Sequence, residues 1–124
     1  MNTADIRISV APRFITEQSN PDAGKYFFSY TITVVNADSQ PYQLISRQWL
    51  ITDGDGNEQK VVGEGVVGKQ PVIAAGESFS YTSGVLLESP VGTMEGSYTM
   101  INDEKESIEA VIKPFLLAFP GAVN

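Results

Sequence analysis

The residues best placed to do chemistry form one run: Gly63, Glu64, Gly65, Val66, Val67, Gly68, Lys69, Gln70 and Pro71. Gly63, Gly65 and Gly68 match the G-x-G-x-x-G pattern that lets a backbone approach a pyrophosphate. Gly63, Gly68 and Lys69 match G-x-x-x-x-G-K, with Gln70 where the phosphate loop carries Ser or Thr. Both patterns work only when a helix follows, because its first N–H groups and its dipole hold the phosphate. Pro71 follows at once, and Val72-Ile73 leads into another turn at Ala74-Ala75-Gly76. The required helix has no room to start. Three readings remain for the loop: a nucleotide or pyrophosphate cradle, a crossover that needs left-handed backbone, and a partner-binding loop.

A second pattern is acidic. Asp53, Asp55, Asn57 and Glu64 fall on positions 1, 3, 5 and 12 of the calcium-loop pattern. Position 6, which needs Gly for its sharp turn, is Glu58, so a polar hairpin tip is the plainer reading. A third candidate is Arg47. Alternation puts it on the same strand face as Ile45, Trp49 and Ile51, where a guanidinium must reach the rim or find acceptors. We expect a charge-assisted hydrogen bond from Arg47 to a carboxylate or to carbonyls of the glycine loop. Trp49, the only tryptophan, is expected to anchor the core.

Composition removes much of the remaining chemistry. The chain of 124 residues has neither cysteine nor histidine. Thiolate nucleophiles, imidazole bases and the commonest transition-metal ligands are therefore excluded. Oxygen ligands alone favour hard cations. A formal net charge of −7 opposes binding to nucleic acid or anionic membrane, which depends on Lys and Arg neutralising phosphate. No run approaches the roughly 18 apolar residues of a membrane span, and the first residues lack a signal-peptide core. The expectation is a cytoplasmic single domain with no cofactor and no catalytic role. The Gly63, Glu64, Gly65, Gly68, Lys69, Gln70 and Arg47 group is its candidate binding loop.

Period-two alternation runs through most of the chain, and no segment shows a helical face. Ile6, Ile8 and Val10 alternate with polar residues, and Pro12 is expected to bend or end pairing as on an edge strand. Tyr26, Phe28, Tyr30, Ile32 and Val34 share one face of a long strand. Strands are predicted at about residues 42–52, 59–62, 78–87, 97–102 and 107–113, with a hairpin tip at 53–57 and turns at 18–24, 36–41, 90–96 and 103–106. About seven short strands bounded by turn residues spell an all-β sandwich of fibronectin type III or immunoglobulin kind. Without cysteine the fibronectin version is preferred. The apolar segment 115–119 has little chain beyond it to cover it, so it packs across the sandwich or lies in a subunit interface, and a homodimer is expected with this segment or an exposed sheet edge in its interface.

Several blocks together resemble the ApaG family: Tyr30-Thr31-Ile32, Ser46-Arg47-x-Trp49-x-Ile51, the run from Val62 to Pro71, Tyr81-Thr82-Ser83-Gly84, and Gly92-x-Met94-x-Gly96-x-Tyr98. The resemblance covers residues 5–120. It implies a fibronectin-like sandwich and little about activity. Bacterial members are associated with cobalt resistance and magnesium efflux, and eukaryotic ones attach the domain to F-box proteins and to a DNA-polymerase-delta-interacting protein. It therefore implies a module that binds an unidentified protein partner. Gln48 departs from the family, where His is usual, and Ala75 stands where Pro commonly precedes Gly-Glu.

Overall fold

A computed structural model describes residues 4–121. Eight strands follow one another: β1 (Ile6–Phe14), β2 (Tyr26–Asn36), β3 (Tyr42–Asp53), β4 (Glu58–Glu64), β5 (Val72–Ile73), β6 (Ser78–Leu87), β7 (Val91–Asn102) and β8 (Ser107–Ala118). They make two antiparallel sheets. The smaller has the order β1-β2-β6, and the larger has β4-β3-β7-β8 with β5 beside the start of β3. This is the expected fibronectin type III-like sandwich. Two short 3-10 turns, Thr16–Gln18 and Pro21–Ala23, fill the predicted turn region between β1 and β2.

The core follows from the alternation. Phe28, Tyr30, Ile32 and Val34 of β2 are buried against Trp49 and Ile51 of β3, while Tyr26 and Phe79 are half-buried at its margin. Tyr42, Leu44, Met94, Tyr98, Met100, Ile112 and Leu117 complete it from the larger sheet. Trp49 meets Tyr30, Tyr98 and Phe115 edge-on, with centroids 5.6, 6.4 and 6.0 Å away, so it joins the two sheets as expected.

Local expectations fail where backbone geometry intervenes. Pro12 does not end pairing: it sits opposite Tyr30 within β1, and an edge strand tolerates its missing N–H. Residues 90–96 do not form one long turn, since β7 begins at Val91. A Cβ on Gly96 would run into the Gln48 carbonyl, and one on Gly92 would lie 2.8 Å from the Thr52 carbonyl. Those glycines mark close backbone approach inside a strand. Ile45 does not share a simple face with Trp49, because a bulge between Leu44 and Ser46 shifts the phase of β3. Tyr42 and Leu44 point inward before the bulge, and Trp49 and Ile51 after it.

Segment 115–119 belongs mostly to β8, whose register shifts by a bulge opposite Met94 and Gly96 and so carries it past Pro114. Leu117 is buried, Phe115 packs on Trp49, and Phe119 meets Phe14 and Tyr26 edge-on with centroids 4.9 and 5.4 Å away. The segment packs across the sandwich, leaving Leu116 exposed.

Candidate functional site

The two sheets close against each other on the β1–β8 side. On the other side the outermost strands, β6 and β4, leave a cleft between them. One part, about 410 Å³, is bordered by Gln59 and Val61 of β4 and by Ser83, Val85 and Leu86 of β6, with Tyr30, Trp49, Ile51 and Met94 beneath. The second, about 270 Å³, runs under the glycine loop among Glu64, Val66, Val67, Gly68 and Tyr81. Arg47, Tyr30, Trp49 and Ser83 line both parts.

The loop is built by internal hydrogen bonds. Val66 and Lys69 exchange N–H···O bonds at 2.8 and 2.9 Å around Val67 and Gly68. Those two central residues have φ of 43° and 79°, the pattern of a tight primed hairpin turn. Gly65 has φ of 64°, and a Cβ there would strike the Lys69 carbonyl. Its N–H donates to the Ile45 carbonyl at 2.8 Å, so the bulge of β3 receives the loop. Gln70 fixes the exit: its Nε2 donates to the same Ile45 carbonyl at 2.9 Å, and its carbonyl accepts from Gln43 Nε2 at 3.1 Å.

Arg47 performs the expected bracing. Its Nη1 donates to the Glu64 carbonyl at 3.1 Å and to the Gly65 carbonyl at 2.9 Å. A Cβ on Gly63 would lie 2.8 Å from both Nη atoms, so the guanidinium rests on bare glycine backbone. Gly63 is therefore needed for space, and only Gly65 and Gly68 of the three motif glycines have left-handed φ. Among the described residues no carboxylate lies in ion-pair range of Arg47; the two pairs found are Arg7–Asp5 and Lys25–Glu88.

Beneath the cleft the hydroxyls of Tyr81 and Tyr98 share a hydrogen bond that joins β6 to β7 across the sheets. Burial pushes Tyr81 up to about 12, against smaller downward effects from the Tyr98 bond and the Arg47 charge. Burial raises Tyr98 as well, reinforced by Tyr81. Both hydroxyls are neutral at physiological pH.

The loop residues and Arg47 thus come together, but Lys69 and Gln70 are exposed beside the cleft and line neither part of it. Gln48 lies on the opposite, outward face of the larger sheet, where its Nε2 donates to Ser46 and its Oε1 accepts from Ser97. The residues of the acidic pattern do not converge. Asp53 accepts from the Asp55 and Asn57 backbone at 2.9 and 3.0 Å, closing a hairpin tip, and Glu64 stands at the far end of β4, ~20 Å along the strand. Tyr30 and Ser83 were not singled out as site residues by the sequence. Their signal was membership of two of the family-like blocks, which the sandwich stacks over Arg47.

Residues 16–102 match the ApaG domain family model. Protein ApaG of Pseudomonas fluorescens strain Pf0-1 is 49% identical over 119 residues, covering 96% of this chain and 94% of its own length. Protein ApaG of Methylobacterium nodulans is 54% identical over 118 residues, covering 95% and 91%. The crystal structure of a Bordetella pertussis protein assigned as ApaA superposes with a TM-score of 0.92 at 47% identity, covering 95% of this chain and 96% of that one. The fold, the glycine loop and these likenesses agree: the chain belongs to the ApaG domain family.

Proposed function

We propose that this protein is a non-catalytic protein-binding or scaffold module of the cytoplasm. In this reading it acts in divalent-cation homeostasis through a partner, as the family's association with cobalt and magnesium suggests. One observation carries the proposal: the cleft between β4 and β6 gathers Arg47, Trp49 and Tyr30 under a shaped loop. Arg is among the residues that dominate the energy of protein interfaces, and Trp49 and Tyr30, buried in the core, form the rigid floor beside it. The free edges of β4 and β6 frame the same cleft and offer unpaired backbone groups to a partner.

The alternative, a nucleotide or pyrophosphate site at the loop from Gly63 to Lys69, finds less support. A phosphate cradle needs N–H groups aimed outward. Here the Gly65, Val66 and Lys69 N–H groups donate to the protein's own carbonyls, while the Glu64 and Gly65 carbonyls face Arg47. Pro71 offers no N–H either.

The test is affinity capture with the whole chain, followed by hydrogen exchange of the purified complex. The expected result is a captured protein that slows exchange in β4, β6 and loop 63–70. Saturable, Lys69-dependent nucleotide binding at micromolar concentration would instead favour the alternative.

A further inference from the structure

We infer that the cleft between β4 and β6 receives an extended peptide carrying a carboxylate side chain beside an apolar one. This deepens the protein-binding reading of the same cleft by naming the chemistry of the partner.

Three sets of hydrogen-bond donors line the cleft without a protein acceptor among the described residues. Arg47 uses Nη1 on two loop carbonyls, whereas its Nε and Nη2 have no hydrogen-bond or ion-pair partner among the described residues. The Tyr30 hydroxyl and Ser83 Oγ line the same cleft and likewise lack a protein partner. A guanidinium held in place by two carbonyls is already oriented, and its free Nε–Nη2 edge matches the two oxygens of a carboxylate. An oriented guanidinium edge that opens on a cleft is a recognition element for a carboxylate.

Charge then selects the kind of anion. One cation faces Glu64 on the rim, in a protein of net charge −7. That balance suits a single negative charge and disfavours a polyphosphate. The larger part of the cleft supplies the second element of recognition. Ile51, Val61, Val85, Leu86 and Met94 add apolar side chains to a mostly polar lining beside Arg47. A molecule filling both parts has a carboxylate and an apolar group.

The sheet edges settle the form of that molecule. An extended segment can pair its backbone with β4 or β6 and turn alternate side chains into the cleft. Along β3, Val61 stands level with Trp49, two positions from Arg47, and Ile51 is four positions away, about 7 and 13 Å at strand rise. The acidic and apolar residues of the peptide therefore stand two or four positions apart, on one face.

The experiment uses a phage-displayed library of random octapeptides selected on the intact protein. The expected outcome is enrichment of peptides with Asp or Glu two or four positions from an apolar residue. Replacing that acid by Asn or Gln in the synthetic peptide should weaken binding to the unaltered protein roughly 10- to 100-fold. Arg47→Gln should do the same, while Lys113→Gln, on the exposed surface of β8, should not. Because Arg47→Gln removes a brace, a second measurement uses the unaltered protein: the Arg47 Nε–H resonance should shift on adding the acidic peptide and not its amide counterpart. Failure to enrich any peptide, enrichment without an acid, or an unmoved Nε–H resonance would each overturn the inference. A captured partner that footprints on the cleft yet binds Arg47→Gln with unchanged affinity would overturn it while leaving the module reading intact. Absence of any captured partner would remove the module reading itself.

Discussion

Gly65 and Val67 sit two residues apart in one loop, and the backbone asks the same unusual φ of both. At Gly65 the residue suits the demand, since a Cβ would also strike the Lys69 carbonyl. Gly65→Ala should therefore destabilise by roughly 2 kcal/mol or more in urea unfolding, whereas Lys69→Ala should stay within about 0.5 kcal/mol of the parent. At Val67 the residue opposes the demand, because a β-branched side chain is an outlier at φ of 43°. Val67→Gly should then stabilise by about 1 kcal/mol. Val67 is exposed at the cleft mouth, so a stabilised variant that loses partner affinity would show what the strained residue is kept for.

Among the elements, β8 joins the two halves of the core in an unexpected way. Its bulge carries the strand beyond Pro114 and sets Phe115, Leu117 and Phe119 inward. Leu117→Ala should cost about 2–5 kcal/mol, the usual range for a fully buried leucine, and Leu116→Ala should cost under ~1 kcal/mol. The Tyr81–Tyr98 pair ties β6 to β7 in the same interior. Its contribution has a definite pH signature. An unfolded tyrosine loses its proton near pH ~10, whereas the folded Tyr81 holds it up to about 12. The unfolded chain therefore binds fewer protons in that window, so stability is full below pH ~10 and falls as pH rises toward the folded value. The slope is about 1.4 kcal/mol per pH unit for each such tyrosine. Urea unfolding from pH 8 to 11.5 should show it, and the Tyr81→Phe, Tyr98→Phe double variant should flatten it. An equal slope in both proteins would locate the titration elsewhere.

Taken whole, the molecule has one side sealed by β1 and β8 and another open between β4 and β6. Its larger sheet shows solvent a partly apolar outer face, with Val62 73% and Val111 69% exposed around a hollow of about 430 Å³. Segment 115–119 is mostly spent on the core, so the proposal of a homodimer rests on this face and on the free sheet edges. Light scattering at high micromolar concentration should give twice the chain mass, and Val111→Glu should return it to the monomer mass. A monomer in the unaltered protein would end that proposal. Among the described residues no helix is long and apolar enough to cross a membrane.

The amino-acid sequence by itself determined the sandwich, because period-two alternation in β2 and β6 assigns each residue a face without reference to anything distant. It also determined the polar tip at Asp53 and the unsuitability of the glycine run for a helix, both properties of neighbouring residues. What it left open depended on contacts between distant segments. The bulge at Ile45 that receives Gly65, the glycines of β7 that admit the backbone of β3, and the run of β8 past Pro114 each depend on a partner strand. Arg47 shows the division most sharply. Local alternation could turn it inward, but only packing could show which two carbonyls brace it and that its other donors face a cleft shared with Tyr30 and Ser83. Face assignment is a local property of the backbone, whereas hydrogen-bond partners and clefts are set by the docking of two sheets, which no single segment encodes.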